Sequence, residues 1–283
     1  GCGRGPCRRF TPPRPGTGHA GGTVGAGPTL KASLLIAGEI GRRAGRILLA
    51  EPGIERIGVL EGDFGPAFDD RVESIRLPLP DSVLISDDLE DPGRAYLKAI
   101  ASGVSCVLLD ESPIPDHISS QFEAAGTTLL AGANVRSGIA AAIAATEAER
   151  IDDAAAVTVS WTEPGSPLRH GIAVAFPDPV GAVWGEERPG PGDLNLAVPV
   201  DDEWGGISVS ISLPDGTVRI VGVADLAAHL EALALAAGAI AVLHGAYPPG
   251  IHQPRDVAAT YLERALIAGL DVAAFTVADS PAG

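Results

Sequence analysis

Short apolar runs alternate with helical segments between Leu34 and Arg150, and this order constrains the fold more than any other feature of the sequence. Strands alternating with helices at this spacing indicate βαβ units and a parallel sheet. We therefore predict an α/β domain over residues 29–150 with its first strand near the centre of the sheet. The predicted strands are Leu34–Ala37, Ile57–Leu60, Val72–Leu77, Val83–Ser86, Val104–Leu109 and Thr127–Leu130, and the predicted helices are Gly41–Leu49, Asp91–Ser102, Ile114–Ala125 and Ile139–Arg150.

The pattern changes after residue 150. Apolar and polar residues alternate over 207–213, a Pro-Asp-Gly turn follows, and the alternation resumes at Val218, which is typical of an antiparallel hairpin. We predict an antiparallel sheet over 151–223 that supplies a substrate or dimerisation domain. Two helices, Ala224–Gly245 and Arg255–Ala268, are predicted within the C-terminal segment 224–283, packing back on the body of the protein.

Composition limits the classes of function. The net charge of −16 argues against nucleic-acid binding, which needs a basic surface, and no apolar stretch approaches the length of a membrane span. Residues 1–28 contain arginines but no acidic residue and are rich in Gly and Pro, so we predict a disordered tail there. The three cysteines form no disulfide framework or metal site, a usage that fits the cytoplasm. Cys106 lies in an apolar run and is expected to be buried.

A glycine-rich turn follows the first predicted strand. Gly38 and Gly41 fill the second and third places of a G-x-G-x-x-G pattern, whereas Ile36 stands in the first place. In a dinucleotide-binding turn the second glycine admits the pyrophosphate and the third lets helix and strand pack closely. Gly38, Glu39, Ile40 and Gly41 are therefore the predicted pyrophosphate-binding residues at a helix N-terminus. An equally open interpretation is that the turn keeps the shape of a dinucleotide-binding turn but binds no dinucleotide.

An acidic residue follows the turn at the spacing that ribose binding requires. Glu61 ends the second predicted strand, about twenty residues after the last glycine, where a carboxylate binds ribose hydroxyls. Because a carboxylate repels a 2′-phosphate, Glu61 predicts NAD rather than NADP. A carboxylate at a strand end is also common in any βαβ unit, so this signal is not specific by itself.

Four stretches of the chain, in their order, resemble the saccharopine dehydrogenase-like family. They are residues 34–63, with the glycine-rich turn; 96–111, "YLKAIASGVSCVLLDE"; 124–144, "AAGTTLLAGANVRSGIAAAIA"; and 234–257, with "YPPGIH". The resemblance implies a Rossmann-like domain, an NAD(P) cofactor and oxidation or reduction of a small amino- or oxo-acid, with Ser86 and Asp87 near the nicotinamide. It also implies a small-molecule substrate as partner, with a homodimer as an open possibility.

The sequence departs from that family at the sites that matter most for chemistry. Ile36 replaces the first glycine, Leu108 stands where the family commonly has Asp, and the acidic turn "ISDDLEDPG" follows the fourth strand. These departures motivate an alternative hypothesis, in which the chain is a catalytically degenerate Rossmann scaffold that binds a ligand or dimerises. A relative of dihydrodipicolinate reductase or homoserine dehydrogenase is a third hypothesis, because those enzymes share the order of the two sheets.

Three residues are candidates for catalysis. Asp110 lies at the end of the fifth predicted strand, at the edge where open sheets bind ligands. It could act as a base or be a solvated loop acid. Arg136 could clamp a substrate carboxylate or pair with nearby acids. His170 begins a predicted strand and could exchange protons or be a surface residue. No P-loop or G-x-S-x-G motif is present, which disfavours a P-loop NTPase or a serine hydrolase.

Overall fold

The computed structural model describes residues 30–62, 64, 69–150, 156–161 and 204–278. Within these ranges a parallel sheet of seven strands has the order β10-β6-β5-β4-β1-β2-β3, and a second sheet of four strands has the order β11-β9-β8-β7. The predicted fold class is confirmed: a Rossmann-like parallel-sheet domain is followed by an antiparallel sheet and C-terminal helices.

The strands and helices of the parallel-sheet domain alternate as predicted. The strands are β1 Leu30–Leu35, β2 Ile54–Glu61, β3 Val72–Ser74, β4 Val83–Ser86, β5 Ser105–Leu108 and β6 Thr128–Leu130. The helices are α1 Glu39–Leu49, α2 Pro92–Ser102, α3 Asp116–Ala125 and α4 Ala141–Arg150. Strand β1 lies between β2 and β4 and runs parallel to both, so the strand order reverses there.

Helices cover both faces of this sheet. One core joins β1, β2 and β4 to α1 and α5 (Ala227–Leu243) and contains Leu34, Ile57, Leu48 and Leu235. The opposite core joins β4 and β5 to α2 and α3 and contains Phe122 and Cys106. Cys106 is fully buried, as expected, and burial raises the pKa of its thiol well above the usual range. Cys106 is therefore an inert structural thiol.

The antiparallel sheet packs one face on three helices. It consists of β7 Ala156–Trp161, β8 Trp204–Ser212, β9 Thr217–Leu226 and β11 Ala273–Ala278. Alternate residues of β8, including Ile207 and Val209, are fully buried against α4, α5 and α6 (Ala258–Ile267). This one-sided burial is the physical basis of the alternation in the sequence.

The sequence analysis predicted only helices in the C-terminal segment, but the structure also has two strands there. The segment adds β10 (Gly250–His252) to the parallel sheet beside β6 and β11 to the antiparallel sheet beside β9. A 3-10 turn at Pro254–Val257 precedes α6. The predicted helix 139–150 is preceded by a π-helical segment, Val135–Ala140, a rare geometry that is often found at functional sites.

Residues 75–82 connect β3 to β4 as a loop on the α2 face of the sheet. A Cβ added at Gly58 of β2 would lie 2.1 Å from the Ile75 side chain and 3.2 Å from that of Leu79. These two side chains therefore cover β2 where a helix would otherwise pack, and the Gly at 58 provides the space.

Candidate functional site

The candidate site lies at the carboxyl ends of β1 and β4, where the strand order reverses. Open α/β sheets bind ligands in the crevice at such a point. The glycine-rich turn leaves β1 at Ile36 and enters α1 at Glu39, and the chain leaves β4 at Ser86. The parallel register pairs Leu35 with Ser86, so the next residue, Asp87, lies beside the turn.

The carboxylate of Asp87 occupies the turn. Its Oδ1 accepts a hydrogen bond from the Ala37 amide at 2.7 Å, and its Oδ2 accepts from the Gly38 and Gly41 amides at 2.9 and 2.8 Å. Only 6% of Asp87 is exposed. Gly38, the N-cap of α1, has no side chain to cap the helix, and Asp87 supplies the anion that a helix N-terminus favours.

This arrangement places a protein carboxylate where the sequence predicts a pyrophosphate. A diphosphate would need the same backbone amides that Asp87 binds, and the charge of Asp87 would repel it at close range. The predicted pyrophosphate-binding residues are thus brought together by the fold, and the amides of two of them, Gly38 and Gly41, are already bound by an anionic group of the same chain.

Ile36 is accommodated without the first glycine of the motif. Its amide donates to the Glu61 carbonyl oxygen at 3.0 Å, which continues the ladder between β1 and β2, and its side chain is buried in the core. Close approach occurs instead at Gly62, which has a φ of +93° and where a Cβ would lie 2.2 Å from the Ile36 carbonyl oxygen. The glycine that this turn requires is therefore at 62.

Gly41 provides a test of the Asp87 contact. A Cβ added at Gly41 would lie 2.8 Å from Asp87 Oδ1 and 2.9 Å from its Cγ, and the three nearest atoms all belong to Asp87. We expect Gly41→Ala to destabilise the wild type by about 1–3 kcal/mol, as overpacking does, and to cost much less in an Asp87→Ala background. Chemical unfolding of the two single variants and the double variant gives the coupling free energy. Equal costs of Gly41→Ala in both backgrounds would show that Asp87 is not the neighbour that excludes a side chain.

Glu61 lies at the end of β2, as predicted, but its charge is offset by α2. Arg94 and Lys98 each donate to the Glu61 carboxylate at 2.8 Å, and Arg94 also contacts Asp88 at 3.2 Å. The hydrogen bond from Lys98 lowers the pKa of Glu61, with further lowering by the charges of Lys98 and Arg94. Two cations beside Glu61 weaken the electrostatic argument that it excludes a 2′-phosphate.

The remaining predicted cofactor residues have local partners. Glu39 accepts from the guanidinium of Arg43 at 2.7 Å one helical turn later. Ile40 packs against the core beneath α1. Ser86 is 1% exposed and accepts from the Asp88 amide at 3.2 Å, so its hydroxyl is part of the β4 terminus.

Two of the predicted catalytic residues follow the carboxyl ends of β5 and β6 and bind different partners. Arg136, at the start of the π-helical segment, pairs with Glu111, which also accepts from the Ser137 hydroxyl. Asp110 accepts from the Ser112 amide and hydroxyl at 2.9 and 3.0 Å. The pairing of Arg136 with a nearby acid was one of the two readings left open by the sequence. His170 lies outside the described residues.

The acidic residues that follow β4 and β5 do not form a shared site. Asp87 binds the glycine-rich turn, Asp88 contacts Arg94, and Asp110 binds Ser112, so each carboxylate has its own donor. The described residues also contain no group of three or more His, Cys, Asp or Glu side chains placed to hold a metal ion. No helix in the described ranges has the length and hydrophobicity needed to cross a membrane.

Glu231 is an ionisable residue that sequence analysis missed. It lies in α5, is partly exposed, and accepts from the Val135 amide at 2.9 Å. Burial raises the pKa of Glu231 to about 7, against the opposing effects of the Val135 hydrogen bond and the charge of Arg136. Its signal in the sequence is a single acid in the apolar stretch "LEALALAAGAIAVL", because a carboxylate within an apolar helix usually has a hydrogen-bond or charge partner.

Comparison with solved structures identifies proteins that share this fold. Saccharopine dehydrogenase (L-Glu forming) from Saccharomyces cerevisiae is similar at 11% identity and a TM-score of 0.55, over 88% of this chain and all of that one. Homospermidine synthase from Legionella pneumophila, in complex with NAD, is similar at 8% identity and a TM-score of 0.54, over 89% and 93% of the two chains. The chain therefore shares its overall fold with these two proteins.

These likenesses are distant. A dihydrodipicolinate reductase with bound dipicolinate from Paenisporosarcina sp. TG-14 is also similar, at 8% identity and a TM-score of 0.48, over 80% of this chain and 97% of that one. No family model matches the sequence, and comparison with curated proteins gives no match. The structural similarity shows that this chain shares a fold with saccharopine dehydrogenase, as the sequence resemblance implied. At this identity, the chemistry has to be argued from the residues of the site.

Proposed function

We propose that this chain is a catalytically degenerate Rossmann scaffold, a ligand-binding or dimerisation protein in which a side chain has replaced the pyrophosphate of a dinucleotide. The observation that carries the proposal is the set of three hydrogen bonds from the Ala37, Gly38 and Gly41 amides to Asp87. The fold supplies the crevice, and Asp87 supplies the anion that the crevice would otherwise take from solution.

Energetics favour the internal anion. A hydrogen bond to a charged group contributes about 1.5–3 kcal/mol, so releasing three of them costs about 4 kcal/mol or more. A cost of about 4 kcal/mol weakens binding roughly 1000-fold. A dinucleotide that binds an open turn at micromolar concentration would then bind this turn only at millimolar concentration.

The second candidate is an NAD(P)-dependent oxidoreductase of saccharopine dehydrogenase-like type, acting on a small amino- or oxo-acid. It is favoured by the fold and by the position of Glu61 at the end of β2. In this case Asp87 leaves the turn, Arg136 exchanges Glu111 for a substrate carboxylate, and Asp110 and His170 remain candidates for proton transfer. NAD is the proposed cofactor, with only weak discrimination against NADP because Arg94 and Lys98 flank Glu61.

Thermal unfolding with excess cofactor separates the two candidates. A ligand present at a hundred times its dissociation constant stabilises a protein by about 2.7 kcal/mol. We expect no shift for the wild-type chain with NAD, NADH, NADP or NADPH at concentrations that stabilise an NADH-binding dehydrogenase measured in parallel. A shift with either reduced cofactor would overturn the scaffold proposal in favour of the oxidoreductase.

A further inference from the structure

Two buried polar atoms at the end of β10 have no hydrogen-bond partner among the described residues. They are Tyr247 Oη and His252 Nε2. Tyr247 is only 6% exposed, and its ring centroid lies 5.5 Å from that of His252. Buried polar groups are almost always hydrogen-bonded, and an exception indicates a water, an ion or a ligand.

Neighbouring groups determine whether each of these atoms donates or accepts a hydrogen bond. His252 Nδ1 lies 3.5 Å from Asp256 Oδ2, and in a neutral ring a proton on Nδ1 directed at this carboxylate leaves the lone pair on Nε2. Burial, with the negative charge of Asp256, raises the pKa of Tyr247 well above its usual range. Its phenol therefore keeps its proton and acts as a donor.

The backbone holds these side chains in place. The Ala131 amide donates to the His252 carbonyl oxygen at 3.0 Å, which fixes β10 against β6. The Gln253 amide donates to Asp256 Oδ2 at 2.9 Å and the side chain of Gln253 completes a capping box with Asp256. The carboxylate that orients the imidazole is thus itself fixed.

We propose that Tyr247 and His252 together bind a single hydroxyl group, supplied by a trapped water or by a small alcohol. Such a group accepts a hydrogen bond from the Tyr247 phenol and donates one to His252 Nε2. A carboxylate has no proton for Nε2, and an ammonium group has no lone pair for the phenol. A metal ion would require deprotonated Tyr247, which its surroundings disfavour. This site is separate from the glycine-rich turn and does not depend on the function proposed above.

Nitrogen-15 NMR of the histidine side chains in the full chain tests the site. We expect His252 Nε2 to give the signal of an unprotonated, hydrogen-bonded nitrogen, and Tyr247→Phe to shift that signal. Tyr96→Phe is the matched control, since it removes a tyrosine hydroxyl from α2, which packs in a different core. A protonated Nε2, or equal shifts in the Tyr247→Phe and Tyr96→Phe variants, would overturn the proposal.

A methanol titration identifies the source of the hydroxyl. If the site accepts an alcohol, methanol shifts the Nε2 signal of the wild type but not that of Tyr247→Phe. If it holds only water, methanol has no effect and a cross-relaxation signal links a long-lived water to the His252 ring. Both results support the hydroxyl site, and the absence of both effects would contradict it.

Discussion

Asp87→Ala is expected to bind NADH with an affinity roughly 1000-fold higher than that of the wild-type chain. The variant removes the carboxylate that accepts from the Ala37, Gly38 and Gly41 amides and leaves these donors for a diphosphate at the N-terminus of α1. The gain corresponds to the estimate of about 4 kcal/mol for releasing Asp87. Isothermal titration of NADH, NADPH and inorganic pyrophosphate into both proteins measures it.

The same change should weaken the unliganded protein. The three hydrogen bonds to Asp87 contribute about 4 kcal/mol by the same reasoning, so Asp87→Ala should unfold at lower temperature than the wild type until pyrophosphate is added. Asp88→Ala is the matched control because it removes the next carboxylate, which contacts Arg94, and leaves the turn occupied. Equal NADH affinities for the wild type, Asp87→Ala and Asp88→Ala would show that Asp87 does not control the turn.

Glu231→Gln is expected to stabilise the protein at pH 8 and to remove a pH dependence near neutrality. The pKa of Glu231 is raised from 4.5 to about 7 by burial, so the folded state binds its proton more tightly than the unfolded state. The resulting stabilisation is complete below pH 4.5 and is lost as the pH rises through 7. At about 1.4 kcal/mol for each pKa unit, the loss between these limits is about 3 kcal/mol.

Denaturant unfolding across this pH range measures the effect. The amide of Gln retains an oxygen to accept from the Val135 amide, so the wild type should lose stability from pH 5 to pH 8 relative to Glu231→Gln. Glu263→Gln, on the exposed side of α6, is the matched control and should follow the wild type. Parallel curves for all three proteins would mean that Glu231 titrates as an ordinary surface carboxylate.

The alternation of strands and helices was enough to predict the α/β architecture, because each βαβ unit is specified by local patterns. Strand β10 was missed, since a three-residue strand after "YPP" has no periodicity to detect. The π-helical segment was missed because no local pattern predicts it. Its packing is tight at Gly138, where an added Cβ would lie 2.5 Å from the Tyr261 hydroxyl.

The sequence was enough to predict where the candidate site lies, but not that the Asp87 side chain occupies it. Gly38 and Glu61 lie at strand ends that the sequence pattern locates, and Asp87 was placed near the same crevice. Whether Asp87 faces a ligand or the turn depends on the register between β1 and β4 and on a side-chain torsion, and neither is encoded in a local motif. The same holds for Glu61, whose partners Arg94 and Lys98 lie on a helix more than thirty residues away.

A crystal structure of the wild-type chain soaked with NADH tests the central claim most directly. We predict Asp87 within hydrogen-bonding distance of the Ala37, Gly38 and Gly41 amides, with no diphosphate density in the turn. Density for a diphosphate on those amides, with the Asp87 carboxylate rotated away, would contradict the claim and support the oxidoreductase.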